Sequence, residues 1–205
     1  MNKTWLGLFF TALLWSGIAP KDYLTWILET APAMIALVVL IATRQKFRLT
    51  DLAYNLILVH SLILMIGAHY TYAEVPLFDW LKEALNLERN NYDKVGHLAQ
   101  GFVPAIIARE ILIRNHVLKK IKWLNFFIVC ICLAISTLYE LLEWCVALLS
   151  SEAAEAFLGT QGYIWDTQSD MAYALLGAVL ALALLSNTHD RHIAKLAAEQ
   201  AQTQS

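Results

Sequence analysis

The sequence predicts an all-α, polytopic membrane helix bundle with six transmembrane helices and both termini cytoplasmic. The chain is 59% hydrophobic and only 16% charged, against roughly 45–50% and about 25% in soluble domains. Its apolar residues gather into six runs, most of them close to the ~20 residues that cross a ~30 Å hydrocarbon core, and lipid favours helices because it offers the backbone no partner. Its basic residues fall unevenly on the connections, with eleven of the 15 Lys and Arg on one side and four on the other. Six spans use most of the 205 residues and leave no segment long enough for a separate soluble domain. A net charge of −2 and the lack of a basic stripe argue against nucleic acid as a partner and leave the lipid bilayer.

The first run, 4–19, needs a decision. Lys3 followed by Trp5 to Trp15, with Gly17 and Ala19 beyond, has the outline of a secretory signal. Pro20 would directly follow the cut and obstruct a peptidase, so the run reads as an uncleaved span. Runs at 23–43 and 52–73 follow, separated by Arg44, Lys46 and Arg48. Between 74 and 94, Phe78, Leu81 and Leu85 recur at i, i+3 and i+7, the spacing of an amphipathic helix lying on the interface, where Trp80 is at home.

The fourth run, 95–113, ends near a basic group of Arg109, Arg114, Lys119, Lys120 and Lys122. The fifth is 123–149 and the sixth 169–186. The transmembrane domain is thus 1–187, followed by a polar cytoplasmic tail at 188–205 with Arg191 and Lys195. The opposite side holds only Lys21, Lys82, Arg89 and Lys94, and the connection from Ser150 to Ser169 has no basic residue. The positive-inside rule turns this alternation into the orientation above. Cys130, Cys132 and Cys145 share one apolar run, which suits buried small hydrophobes rather than a disulfide framework or a zinc ribbon. No internal repeat of the inverted-transporter kind is evident.

Seven polar residues sit at or inside the edges of these apolar runs: Asp93, His97, Gln100, Glu140, Glu143, Asp166 and Asp170. An ionised side chain at the bilayer centre costs roughly 2.5–3.5 kcal/mol on insertion scales, so such groups persist by pairing, binding an ion or lining a wet cavity. The orientation brings them together at the periplasmic face. Asp93, His97, Gln100, Gly101, Pro104 and Ala108 form one stripe of the fourth helix, polar and then small, which suits a face turned to the bundle. Ser136, Glu140 and Glu143 form a stripe of the fifth, and Asp166, Asp170 and Gly177 one of the sixth. His69, Tyr70 and Tyr72 from the third helix and Glu29 from the second belong to the same zone.

Two carboxylates a turn apart in a low dielectric do not both ionise without a compensating cation. Protonation, a basic partner such as Lys94, or a bound divalent metal would each serve. Carboxylate with imidazole suits zinc, manganese or iron, and a hydrolytic site needs three protein ligands and an open position. The expected ligands are His97, Glu143 and Asp170, and the expected catalytic groups Glu140, Glu143 and Asp166. Gln100, Gln161 and Gln168 are the candidate substrate-binding amides. Structural readings stand beside these. Asp93 and Asp166 begin helices and suit capping, Asp93 and Lys94 make an interfacial ion pair, and His97 suits an interhelical hydrogen bond. Arg109 and Glu110 read as snorkelling at the inner interface; His60, His116, His189 and His192 read as packing or surface residues. The zincin H-E-x-x-H, the G-x-S-x-G elbow and the Walker loop are all absent.

Several longer motifs carry a resemblance. They are Leu24-Thr25-Trp26-Ile27-Leu28-Glu29-Thr30-Ala31-Pro32, His69-Tyr70-Thr71-Tyr72-Ala73, and Tyr92-Asp93-Lys94-Val95-Gly96-His97-Leu98-Ala99-Gln100-Gly101-Phe102-Val103-Pro104. Further on come Tyr139-Glu140-Leu141-Leu142-Glu143-Trp144, Phe157-Leu158-Gly159-Thr160-Gln161-Gly162, Trp165-Asp166-Thr167-Gln168 and Asp170-Met171. Together, over nearly the whole chain, these resemble the YjdF-like family of bacterial inner-membrane proteins. The resemblance implies a multi-pass inner-membrane location and no established activity. The family pattern places an Asp after the glycine matching Gly162; Tyr163 stands there, which leaves Asp166 and Asp170 as the acids of that region. Asp93 and Lys94 with His97, a later Glu and a helix-leading Asp are more faintly similar to the VanZ-like membrane proteins, which are tied to glycopeptide-antibiotic resistance.

Three function classes follow: metal-assisted hydrolysis or transfer on a lipid-linked or envelope substrate, transport of a small ion or solute through Glu140 and Glu143, and a structural or accessory envelope role in which the cluster only fixes helix packing.

Overall fold

A computed structural model describes residues 1–149 and 160–204. Its described residues form seven α-helices and no strand: α1 (Lys3–Gly17), α2 (Tyr23–Thr43), α3 (Asp51–Tyr70), α4 (Pro76–Ala84), α5 (Tyr92–Arg114), α6 (Leu124–Leu149) and α7 (Asp166–Gln204). Local chemistry sets the starts. Asn2, Asp22 and Thr50 accept from the backbone N–H groups of Trp5, Thr25 and Ala53, at 2.9, 2.6 and 3.3 Å, which satisfies donors that have no intrahelical partner. Pro76 opens α4, where a missing N–H costs nothing. α3 ends where Thr71 and Tyr72 turn left-handed, at φ 59° and 54°. That turn folds the Tyr72 ring back between Gly67 and Gly96, where a Cβ would lie 2.3 and 3.0 Å from the ring.

Among the described residues, four helical segments are long and apolar enough to cross a membrane: Tyr23–Thr43, Asp51–Tyr70, Ile121–Leu149 and Asp166–Gln202. α1 has 15 residues, only about 22 Å of helix. α5 has the length but carries Asp93, Lys94, Arg109 and Glu110 among its 23 residues. The third helix stops at Tyr70 rather than Ala73, and α7 continues without a break through the polar segment after 187. α4 lies where the amphipathic spacing places it, with Trp80 and Leu85 exposed and Phe78 edge-on to Tyr92 at 5.2 Å.

α3 and α5 are the spine. α1 and α2 pack on α3; α6 and α7 pack on α5 and on each other, with α5 against α7 the most extensive pair. Trp5, Phe9, Leu37, Leu40, Tyr54 and Met65 fill one side of the spine; Ile106, Ile128, Cys132, Ala178 and Ala181 fill the other. α5 and α7 touch backbone to backbone: a Cβ on Gly101 would sit 1.8 Å from the Ala174 carbonyl oxygen, and one on Gly177 would sit 2.1 Å from that of Leu98. Close approach of this kind is what small residues permit in membrane helices. Cys132 is buried as expected, but Cys130 and Cys145 are exposed, because only every third or fourth residue of α6 faces the bundle. Lys21 pairs with Glu74 across the first and third connections, a bond that raises the Lys21 pKa above its ordinary value.

Candidate carboxylate and imidazole site

The N-terminal turns of α5 and α7 and the C-terminal half of α6 meet at one end of the bundle, termed here the Asp93 end. Stripe spacing places the side chains: on α6, the buried residues Ile128, Cys132, Ser136, Glu140 and Glu143 follow one face. α5 carries Asp93, Lys94 and His97 inward, and α7 carries Asp166 and Asp170.

Two cations thread through three acids. Arg89 reaches Asp166 Oδ1 at 2.5 Å and Asp93 Oδ2 at 3.6 Å. The Lys94 ammonium lies 2.5 Å from Asp170 Oδ1, 2.8 Å from Asp166 Oδ1 and 3.4 Å from Asp93 Oδ2. The Tyr163 ring covers both, its centroid 5.6 Å from the Arg89 guanidinium carbon and 5.8 Å from Lys94 Nζ, within cation–π range. Tyr163 meets both cations with an aromatic face.

The segment before α5 is tied down to present Arg89. The Asn90 side chain donates to the Val75 carbonyl at 3.1 Å and to Asp79 Oδ1 at 2.8 Å. Gln161 accepts from the Asn90 backbone N–H at 3.0 Å and donates to its carbonyl at 2.9 Å. Gln161 is therefore occupied as a clamp between two connections, and Gln168 is exposed. Phe157, Leu158 and Gly159 of the same motif lie outside the described residues.

His97 sits at the centre. Its Nε2 lies 3.2 Å from Asp93 Oδ1 and 3.8 Å from Asp170 Oδ1; its Nδ1 lies 3.1 Å from Gln100 Oε1 and 3.8 Å from Glu140 Oε1. Asp93, His97 and Asp170 each bring one ligand atom within 4.8 Å of the others, close enough to share one ion. Asp93 stands in this trio where Glu143 was expected; Glu143 instead lines the neighbouring cavity. Asp93 and Asp166 both stand in the first turns of their helices, where an acid suits the dipole, but Asp93 is not the cap residue of α5. Asn91 holds the cap position of α5 without a side-chain bond, and both aspartates point to cations or His97. Glu140 Oε1 is buried without a hydrogen-bond partner, an unmet demand that native interiors rarely leave.

Beyond His97 a cavity of about 640 Å³ opens between α2, α3, α5 and α6. Glu29, Tyr72, Asp93, His97, Gln100 and Glu143 line its polar end, where Tyr139 donates to Glu29 Oε2 at 3.1 Å. Glu29 and Tyr72 join the site as the topology suggests, but His69 and Tyr70 do not. His69 Nδ1 lies 3.1 Å from the Ser16 carbonyl and its ring against Trp15, so it serves the seat of α1.

Sequence reasoning missed Arg89, Tyr139 and Asn90. Arg89 precedes its helix and so has no stripe to reveal it; Tyr139 sits beside Glu140 and could have been read from its place one turn before Glu143. It also misplaced Arg109 and Glu110, which are not snorkelling at an interface. Both are buried, with His189, in a second polar network at the opposite end.

Fold and site together define an all-helical membrane protein with a buried carboxylate and imidazole cluster beside an internal cavity. The chain belongs to the family described as "Predicted membrane protein (DUF2238)", whose match covers residues 1–191. It is 48% identical over 181 residues to the inner membrane protein YjdF of Escherichia coli (strain K12), covering 88% of this chain and 87% of that one. That kinship places the chain in the cell inner membrane as a multi-pass protein. No solved structure matches it.

Proposed function

We propose that the Asp93 end is a divalent-metal site facing the periplasm, and that the protein performs metal-assisted hydrolysis or transfer on a lipid-linked or envelope substrate. The observation that carries this reading is the trio Asp93, His97 and Asp170, whose ligand atoms lie within 4.8 Å of one another beside the cavity. Two carboxylates and an imidazole suit zinc, manganese or iron and leave positions for water and substrate. Glu140 Oε1, buried without a hydrogen bond although 3.8 Å from His97 Nδ1, leaves a demand at the site that a further cation would meet.

Six spans with both termini cytoplasmic complete the proposal. α1 and α5 join the four apolar helices, since the polar groups of α5 face the bundle rather than lipid, and the Lys and Arg asymmetry sets the orientation. An ion in the trio would supply Lewis acidity. Asp93, His97 and Asp170 would hold it, and Lys94, now between Asp166 and Asp170, would then pair with Asp166 alone. Glu143, on the cavity wall, is placed to take a proton from water, Glu140 to orient His97, and Gln100 to bind substrate. Transport through Glu140 and Glu143 has less support, because beyond Gln100 the α5 wall of the cavity is Val103, Pro104, Ile107 and Ile111. Lipid profiles of wild-type and deletion strains under envelope stress test the reading: an accumulating lipid species is expected, and identical profiles would count against it.

A further inference from the structure

The cavity does not end at the polar cluster. On α2 it is lined by Glu29, Pro32, Ala33, Ala36, Val39, Leu40 and Thr43, one continuous helical face about 21 Å long at 1.5 Å per residue. On α5 the lining runs from Asp93 to Ile111, about 27 Å by the same rise, with Asn115 just past the helix end. Either length exceeds half of a ~30 Å hydrocarbon core. The cavity is therefore a groove that starts among carboxyls and continues past the membrane midplane between apolar walls.

Its side is open. α2 and α6 flank it without extensive packing on each other, bridged at the polar end by Tyr139 and Glu29. The wall residues Val39, Ile111 and Ile135 remain 51%, 42% and 40% exposed, so they are accessible from the lipid-facing surface. Pro32 and Pro104 both lie on the lining. Each removes a helical donor and so leaves the carbonyl four residues earlier, Leu28 or Gln100, without its usual partner. A volume of about 640 Å³ lies within the range of ligand cavities.

The polar end has a definite charge character. Arg89 and Lys94 are committed to Asp93, Asp166 and Asp170 and do not line the groove. What lines it there is Glu29, Glu143 and Asp93, with the phenols of Tyr72 and Tyr139 nearby. Carboxyls with aromatic rings recognise an ammonium group and repel a terminal phosphate. The Gln100 amide N–H groups remain as donors for a phosphodiester, since the Tyr139 hydroxyl already donates to Glu29. Deeper on the wall, His60 Nε2 is buried without a partner, placed for an ester oxygen.

We infer that this groove takes an acyl chain of an ammonium-bearing phospholipid, which slides in laterally between α2 and α6 and sets its head among Glu29, Glu143 and Tyr139. The inference rests on the metal-site reading only for what happens to that lipid: Asp93 and His97 of the trio border the groove, but the head is assigned to Glu29 and Glu143 on α2 and α6.

The test uses the full chain, delipidated in detergent and incubated with vesicles of phosphatidylethanolamine or phosphatidylglycerol bearing the same acyl chains. Native mass spectrometry reads bound lipid, and metal analysis is run on the same samples. One phosphatidylethanolamine per chain is expected, preferred about tenfold over phosphatidylglycerol, the scale of one charge-assisted bond. Ala36→Trp, which fills the groove, should abolish retention, and Val39→Trp at the rim should weaken it without disturbing the fold. Glu143→Gln should remove the preference and keep the chain. Equal retention of both lipids overturns the head assignment. No lipid in wild type, or a dimer that Ala36→Trp dissociates with no lipid retained, overturns the groove assignment. Lipid retained without metal upholds this inference while removing the metal reading, and metal without lipid does the reverse.

Discussion

The two ends of the bundle use the same residue types to opposite effect. At the Glu110 end the acid has both oxygens met and the histidine both nitrogens, and only on Arg109 is a nitrogen, Nε, buried without a hydrogen-bond partner. Glu110 and His189 are 0% exposed. Glu110 Oε1 accepts from the Thr50 N–H at 2.8 Å and from Arg114 at 2.7 Å, while Oε2 accepts from the Thr50 hydroxyl at 2.7 Å and lies 3.1 Å from His189 Nε2. Arg109 spans His189 and Asp190, at 3.2 and 2.7 Å. The Asp93 end also buries an acid and a histidine, but His97 has two of its four polar neighbours at 3.8 Å, and Glu140 keeps an oxygen without a partner. A buried acid whose oxygens are all satisfied fixes helices in place; one that keeps an unmet oxygen beside a cavity has capacity left to bind. Thus Glu110 ties α3, α5 and α7 together, and the proposed site falls at the Asp93 end.

The largest expected effect breaks that tie. Glu110→Ala strands Arg114, His189 and the Thr50 donors, and loss of one partner from a buried pair costs about 3–5 kcal/mol. Unfolding in detergent should show that loss, and an unchanged midpoint would put the Glu110 end on the same footing as the other. Gly101→Ala comes next. Its methyl group meets the Ala174 carbonyl, and overpacking of this kind costs about 1–3 kcal/mol, readable as a lower melting temperature with the polar residues untouched.

Smaller stability effects belong to the Asp93 end. Glu140→Gln should move the unfolding free energy by less than about 1 kcal/mol, because the acid already leaves an oxygen unsatisfied. A loss as large as that of Glu110→Ala would make Glu140 structural. His97→Ala should instead be read in metal: its affinity should fall by more than the 10–100-fold that loss of a supporting partner typically costs. The exposed Lys21–Glu74 pair sets the floor; Lys21→Ala should leave the melting temperature within error, as surface pairs contribute little.

The sequence made the Asp93 end more legible than the Glu110 end, for a physical reason. Asp93, His97, Glu140, Glu143 and Asp170 sit in stripes with clean helical spacing, and apolar surroundings make each conspicuous. Glu110 and Arg109 lie among basic residues at the end of an apolar run, where a charge draws no notice and snorkelling is the ordinary explanation. His189 falls past the apolar part of α7, and only the unbroken helix carries it back against α5. Arg89 shows the limit from another side, because a connection has no period and its reach depends on Asn90 and Gln161 holding it. The groove was not readable either, since Ala36, Val39 and Ile107 look like any lipid-facing residues until α2 and α6 are seen to stand apart.

Metal content per chain, measured on purified wild type beside His97→Ala and Asp170→Asn, bears most directly on the claim that the Asp93 end binds. The account predicts about one divalent ion per wild-type chain, lost in both variants, with their folds intact and the Glu110 network undisturbed. Wild type without stoichiometric metal, and without a shift in melting temperature when zinc or manganese is added, would contradict it and leave both ends of the bundle structural.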